Sequence, residues 1–370
     1  MTDHARTLAE FLSQRGVSRR AFLAYSTTMA SLLALPPSAA AAMAEGLAKA
    51  RRQAVIWLSF QECTGCTESL TRSFSPNLED LIFDFISLDY HHTLQAVSGE
   101  AAEAARRQSI EANRGKYVVV VDGSVPVRDG GVYSVIAGQS NLQMLAETVE
   151  HAAAVVAVGT CAAFGGLPEA KPNPTGAVAI GDLVKGKPLV NIPGCPPLPQ
   201  AMAGTLTHLI AFGKLPELDH LNRPRAFFGE TIHDRCYRRP FYERGLFAKS
   251  FDDEGAREGW CLYELGCKGP VTYNACATAR WNGGVSFPIQ SGHGCIGCSE
   301  PRFWDRGGLY RPLPTATHDV GAAVGGAAVG GVAVGALAAL LARQRVKRAQ
   351  HLEGESDLGQ PGPGQKAGGA

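Results

Sequence analysis

The cysteines of this chain fall into three sets, and none is left over. Cys63, Cys66, Cys161 and Cys195 stand in the first half. His233 joins Cys236, Cys261 and Cys267 in a second set. Cys276, Cys295 and Cys298 come last, with Pro288 where a fourth ligand would stand. Thiolates in threes and fours are how proteins hold iron–sulfur clusters. A chain with three such sets must fold so that distant loops converge, and it is suited to carry electrons along a row of centres. A disulfide framework is the competing reading of the ten cysteines. Two C-x-x-C pairs and one H-x-x-C pair suit a metal better, because such close pairs rarely form structural cross-links.

The two ends read differently from the body. Ser18-Arg19-Arg20-Ala21-Phe22-Leu23 is a twin-arginine signature, followed by an apolar run over 23–35 and small residues over 38–42. Residues 1–45 are therefore expected to be a twin-arginine signal peptide, with the mature chain starting between Met43 and Lys49. A chance Arg pair before a short helix is the plainer alternative. Export of an already folded protein fits clusters that must be built beforehand. Residues 320–341 run 22 positions without a charge, long enough to span a bilayer as a helix. A transmembrane helix is expected over 319–342. Arg343, Arg345, Lys347 and Arg348 follow it and place that end in the cytoplasm, with the body on the periplasmic face. Gly321, Gly325, Gly326, Gly330, Gly331 and Gly335 supply small-xxx-small pairs for a partner helix. A buried glycine–alanine helix of the body is the other reading. Residues 343–370 read as a cytoplasmic disordered tail.

With both ends trimmed, 370 residues leave room for two domains. A net charge of +1 gives no electrostatic case for nucleic acid or an acidic substrate. Residues 50–213 alternate strand and helix. Apolar runs over 54–58, 116–122, 153–158 and 189–192 have the near-continuous pattern of strands buried on both faces. Helices are expected over 67–72, 101–113, 142–151 and 197–212. The alternation predicts an α/β fold with a doubly wound parallel sheet. Cys63 and Cys66 follow the first run, Cys161 comes three residues after Val158, and Cys195 three after Ile192. In open α/β sheets the crevice lies beyond the carboxyl ends of the strands, so four thiolates are expected to converge there.

Residues 214–315 change character and become rich in Gly, Pro, aromatic and charged residues. Metal binding would supply folding free energy that such a region lacks. Here His233, Cys236, Cys261 and Cys267 offer one imidazole and three thiolates. An imidazole in place of a thiolate makes a cluster less negative, which suits an exit point. Cys276, Cys295 and Cys298 offer three thiolates, the right number for a 3Fe–4S cluster, or for a 4Fe–4S cluster completed from outside.

Five motifs together carry a family resemblance. Cys63-Thr64-Gly65-Cys66-Thr67-Glu68, Gly159-Thr160-Cys161 and Pro193-Gly194-Cys195-Pro196-Pro197 resemble the small subunit of membrane-bound nickel–iron uptake hydrogenases. So do His233-Asp234-Arg235-Cys236 and the stretch from Gly292 through Cys295 and Cys298 to Pro301. The resemblance implies a flavodoxin-like domain holding a proximal 4Fe–4S cluster on Cys63, Cys66, Cys161 and Cys195. It implies a loop-rich domain with a distal 4Fe–4S cluster on the His233 set and a medial 3Fe–4S cluster on the Cys276 set. The Ni–Fe centre would sit in a separate large subunit. A membrane cytochrome b or similar quinone-linked subunit would take the electrons. Glu68's counterpart lies near the subunit interface and is a candidate proton relay; its other reading is an acid favoured by a helix first turn. Oxygen-tolerant relatives carry extra cysteines where this chain has Gly65 and Gly166, so the proximal set resembles the standard type.

The competing function is an iron–sulfur subunit of a related quinone oxidoreductase without hydrogenase activity. Such a subunit shares the first motif and lacks the second region with its seven further ligands.

Overall fold

A computed structural model describes residues 6–74, 85–306 and 308–313. Its framework is a parallel sheet of strands apolar on both sides. β1 (Gln53–Ser59), β2 (Ile86–His91), β3 (Val118–Asp122), β4 (Ala154–Val158) and β5 (Leu189–Ile192) lie in the order β2-β1-β3-β4-β5. Every neighbouring pair is parallel. The register sets Trp57, Val120, Val156 and Val190 in one row across the sheet, and Ile56, Val119, Val155 and Leu189 in the next. Successive side chains point to opposite faces, so these rows feed two separate cores. Each fully buried Val or Ile contributes about 1.5–3 kcal/mol.

Helices cover both faces. α1 (Leu8–Gln14), α2 (Arg19–Leu32), α3 (Pro37–Lys49) and α4 (Gly65–Thr71) lie on the face of the Trp57 row. α5 (Gly99–Ala112) and α6 (Asn141–Val149) cover the opposite face through Ala102, Ile110, Met144 and Leu145. α7 (Gly159–Phe164) follows β4, and α8 (Pro199–Phe212) returns to the first face. The sheet is therefore doubly wound, as the alternating pattern predicts.

The N-terminal segment is folded against the body. Leu8, Met29 and Leu47 are fully buried in the first core. Tyr25 Oη and Thr207 Oγ1 share a hydrogen bond of 2.6 Å, which ties α2 to α8. Gly46 lets α3 cross α8 closely, since a Cβ there would fall 2.0 Å from the carbonyl oxygen of Ala211. Arg19 and Arg20 stay exposed on the first turn of α2, whose N-cap is Ser18.

After α8 the described residues form only short helical turns and loops. Phe227, Ile232, Ala248, Leu262, Phe287 and Ile289 continue the first core without a break. Among the described residues no helix is long and apolar enough to cross a membrane. The span expected over 319–342 and the tail over 343–370 lie outside the described residues.

Candidate metal centres

The first set gathers at the carboxyl ends of β1, β4 and β5. Thr64 caps α4 in the left-handed region (φ 64), which turns the chain between Cys63 and Cys66. Cys63 is exposed, Cys66 is buried in the first turn of α4, Cys161 lies within α7, and Cys195 lies in the loop after β5. Burial pushes the Cys66 thiol well above its ordinary value, and negative charge on Asp122, Cys161, Cys195 or Cys63 acts in the same direction. Burial likewise pushes Cys161 to about 11 and Cys195 to about 12.

Glycines make room for these sulfurs. A Cβ on Gly159 would fall 2.4 Å from Cys66 Sγ, and one on Gly166 would fall 2.7 Å from Cys161 Sγ. A Cβ on Gly65 would lie 3.2 Å from Cys63 Sγ. The two positions singled out for missing cysteines thus sit directly beside first-set thiols.

Two acids underlie this set, Asp122 buried and Glu62 half-buried, and sequence reasoning missed both. Asp122 ends β3 with no exposure, and Thr67 Oγ1 donates to its Oδ2 at 3.3 Å. Burial raises its carboxyl to about 6. Burial and then the Asp122 charge raise Glu62 to about 7. An acid closing the run Val118-Val119-Val120-Val121 was the available signal for Asp122. Glu68, the acid singled out from sequence, pairs with Arg72 at 2.6 Å on the surface.

The second set lines one cavity: His233, Cys236, Cys261 and Cys267, with Arg238 beside them. His233 opens a short turn that Asp234 holds by accepting from Thr231 N–H at 2.9 Å and Thr231 Oγ1 at 2.7 Å. Burial, then the Arg239 charge, lowers His233 from its usual range, which favours the neutral imidazole a metal needs. Burial raises Cys236 and Cys267, and raises Cys261 to about 12.

The third set lines a second cavity of about 340 Å³, in which Pro288 stands with Cys276, Cys295 and Cys298. Phe287 and Ile289 make that cavity apolar. Burial raises Cys276 to about 12 and Cys295 well above its ordinary value.

The donor chemistry fits iron–sulfur clusters. All ten cysteines are free thiols. Backbone amides aim at their sulfurs: Gly269 N–H at Cys267 Sγ (3.4 Å) and Gly297 N–H at Cys295 Sγ (3.4 Å). Among the described residues, no three His, Cys, Asp or Glu side chains close on a single ion. One ion draws its ligands to about 2.0–2.3 Å, whereas a cluster spreads thiolates over several irons. Thiols raised this far stay protonated until a metal displaces the proton.

The sets are also joined to one another. Thr160 Oγ1 donates to the carbonyl of Cys298 and accepts from Gly194 N–H at 2.9 Å. Cys295 N–H donates to Cys267 Sγ at 3.3 Å. In space the order is first, third, second, with the third set between the other two.

Residues 228–311 match the family model for the C-terminal part of the NiFe/NiFeSe hydrogenase small subunit, and residues 63–209 match the model for the 20 kDa NADH ubiquinone oxidoreductase subunit. The uptake hydrogenase small subunit of Azotobacter vinelandii is 44% identical over 359 residues, covering 95% of this chain and 98% of its own. The chain belongs to the small subunits of nickel–iron hydrogenases. The uptake hydrogenase small subunit of Rhizobium leguminosarum bv. viciae is 47% identical over 317 residues, covering 86% of this chain and 88% of its own. The solved [NiFeSe]-hydrogenase of Dm. baculatum superposes with a TM-score of 0.67 at 36% identity, covering 71% of this chain and 100% of that one. Residues 63–209 alone would fit the quinone-oxidoreductase reading; the match over 228–311 decides for the hydrogenase. As a hydrogenase small subunit, this chain is the electron-transferring partner in a heterodimeric nickel–iron hydrogenase.

Proposed function

We propose that this hydrogenase small subunit holds three clusters in a row and passes electrons from the large subunit's Ni–Fe site outward along them. When bound, iron–sulfur clusters supply one-electron redox centres. Cys63, Cys66, Cys161 and Cys195 would hold a proximal 4Fe–4S cluster. Cys276, Cys295 and Cys298 would hold a medial 3Fe–4S cluster. His233, Cys236, Cys261 and Cys267 would hold a distal 4Fe–4S cluster. The observation that carries this reading is the pair of links between sets, Thr160 to Cys298 and Cys295 to Cys267. They support a relay order with the three-thiol set in the middle. The exposed Cys63 end is the side offered to the large subunit.

The proximal set is of the standard type, with Gly65 and Gly166 in place of extra cysteines. The domain holding it spans 50–213, and 214–315 forms the second cluster domain. Export by the twin-arginine route, cleavage near 45, and an anchor over 319–342 complete the reading. They put the body on the periplasmic face and residues 343–370 in the cytoplasm. A cytochrome b or similar quinone-linked membrane subunit would accept the electrons.

Iron and acid-labile sulfide analysis with low-temperature EPR tests the relay. About eleven irons per chain are expected. A count near four would leave the His233 and Cys276 sets without clusters and sink the reading.

A further inference from the structure

Lys268 follows Cys267 and is only 4% exposed. Its Nζ donates to the carbonyl of Gly266 at 2.8 Å and to the carbonyl of Arg311. Its backbone N–H donates to the carbonyl of Cys295 at 2.7 Å. Its stem packs on Gly297, where an added Cβ would meet Lys268 Cβ at 3.4 Å. The lysine is therefore fixed between a ligand of the second set and a ligand of the third.

A buried ammonium is costly unless an opposite charge compensates it. Two other buried cations follow that rule. Arg106 pairs with Glu103 and Glu147, and Arg223 pairs with Asp219 and Glu300. Lys268 has two carbonyl dipoles and, among the described residues, no carboxylate partner. The anionic groups that act on it are Cys267 and Cys295, one from each set. Thiols become anionic when they ligate metal. The counter-charge of Lys268 is thus the ligated second and third sets together.

We infer that Lys268 is a shared positioning charge for two adjacent redox sites, favouring the reduced, more negative state of both and raising both potentials. The inference rests on reading the two sets as cluster sites. Arg238 provides the contrast. It is 7% exposed and donates to Trp260 O and Tyr237 Oη, both at 2.7 Å. It acts on Cys236, Cys261 and Cys267, all of the second set. Its charge therefore bears on one site only.

The test is an EPR-monitored redox titration of the purified heterodimer, with iron counted in every sample. In Lys268→Gln, with iron intact, the medial and distal midpoint potentials should both fall. Lys268→Arg keeps the charge and should stay near the parent. Arg238→Gln should lower the distal potential alone. An iron-replete Lys268→Gln protein with unmoved potentials, or with only one moved, overturns the inference. Should Lys268→Gln fail to load clusters, Arg238→Gln decides: a lowered distal potential sustains tuning by unpaired buried cations, and an unmoved one ends it. Iron missing from the parent protein would instead refute the cluster reading itself.

Discussion

The amide of Cys295 donates to the sulfur of Cys267 across 3.3 Å, joining a ligand of the three-thiol set to a ligand of the histidine set. A hydrogen bond to a cluster sulfur stabilises the reduced state. This one also fixes the spacing of the two sites, because both residues are buried. Thr160 does the same on the other side, tying Cys298 to the loop that carries Cys195. Electron transfer through this chain is thus built on contacts between loops far apart in sequence.

Pro288 lines the cavity of Cys276, Cys295 and Cys298. Pro288→Cys should offer a fourth thiolate there and convert a 3Fe–4S cluster to 4Fe–4S. The added negative charge should lower its potential. EPR of the oxidised variant checks this, and an unchanged 3Fe signal would show that Pro288 is not beside the vacant corner.

How much of this was legible beforehand follows from local chemistry. β1, β3, β4 and β5 were visible because strands buried on both faces need unbroken apolar runs. β2 was missed: it lies at the sheet edge, and Ser87, Leu88 and Asp89 are only partly buried. The members of each set were readable from spacing and resemblance. Their spatial order was not, since it depends on side chains such as Thr160 reaching across the fold. Sequence reasoning singled out neither Lys268 nor Arg238, because a cation in a polar, loop-rich stretch carries no sign of its burial.

Gly166 and Gly65 bear on oxygen. With the four thiolates proposed for it, the proximal cluster would lack the additional redox step that six cysteines allow in tolerant relatives. Hydrogen oxidation on an electrode should collapse under air, and sustained current would contradict the assignment. Gly166→Cys should not confer tolerance. Gly166 sits at φ +57, and its Cβ would lie 2.7 Å from the Cys161 Cα. That clash is with backbone, so the expected result is reduced proximal iron, read by iron analysis.

Truncation after Thr317 removes the uncharged stretch over 320–341. As the helix proposed for it, at 1.5 Å per residue, that stretch would be about 33 Å long, enough for a bilayer of about 30 Å. The shortened protein should be released in soluble form and still reduce artificial dyes with hydrogen. It should lose coupling to the quinone pool. A truncated enzyme that stays membrane-bound and quinone-coupled would rule this segment out as the anchor.

Arg223 holds the segment after Cys298 in place. It is 1% exposed, and its guanidinium pairs with Asp219 at 2.8 Å and Glu300 at 3.0 Å. Glu300 Oε1 also accepts from Tyr273 N–H at 2.7 Å. Burial raises the Glu300 carboxyl, and the Arg223 charge opposes that rise. Arg223→Ala takes the paired cation away from buried Glu300 and half-buried Asp219, a change that costs about 3–5 kcal/mol. Glu300 then takes up a proton more readily, its link to Tyr273 weakens, and the Cys298 loop loosens. The expected outcome is a lower melting temperature together with a broadened or lost medial EPR signal. The triple variant Arg223→Met, Asp219→Asn, Glu300→Gln removes all three charges at once and should regain part of the stability, since no uncompensated charge is left behind. A single variant that melts like the parent with its medial signal intact would show that this triad does not position Cys298.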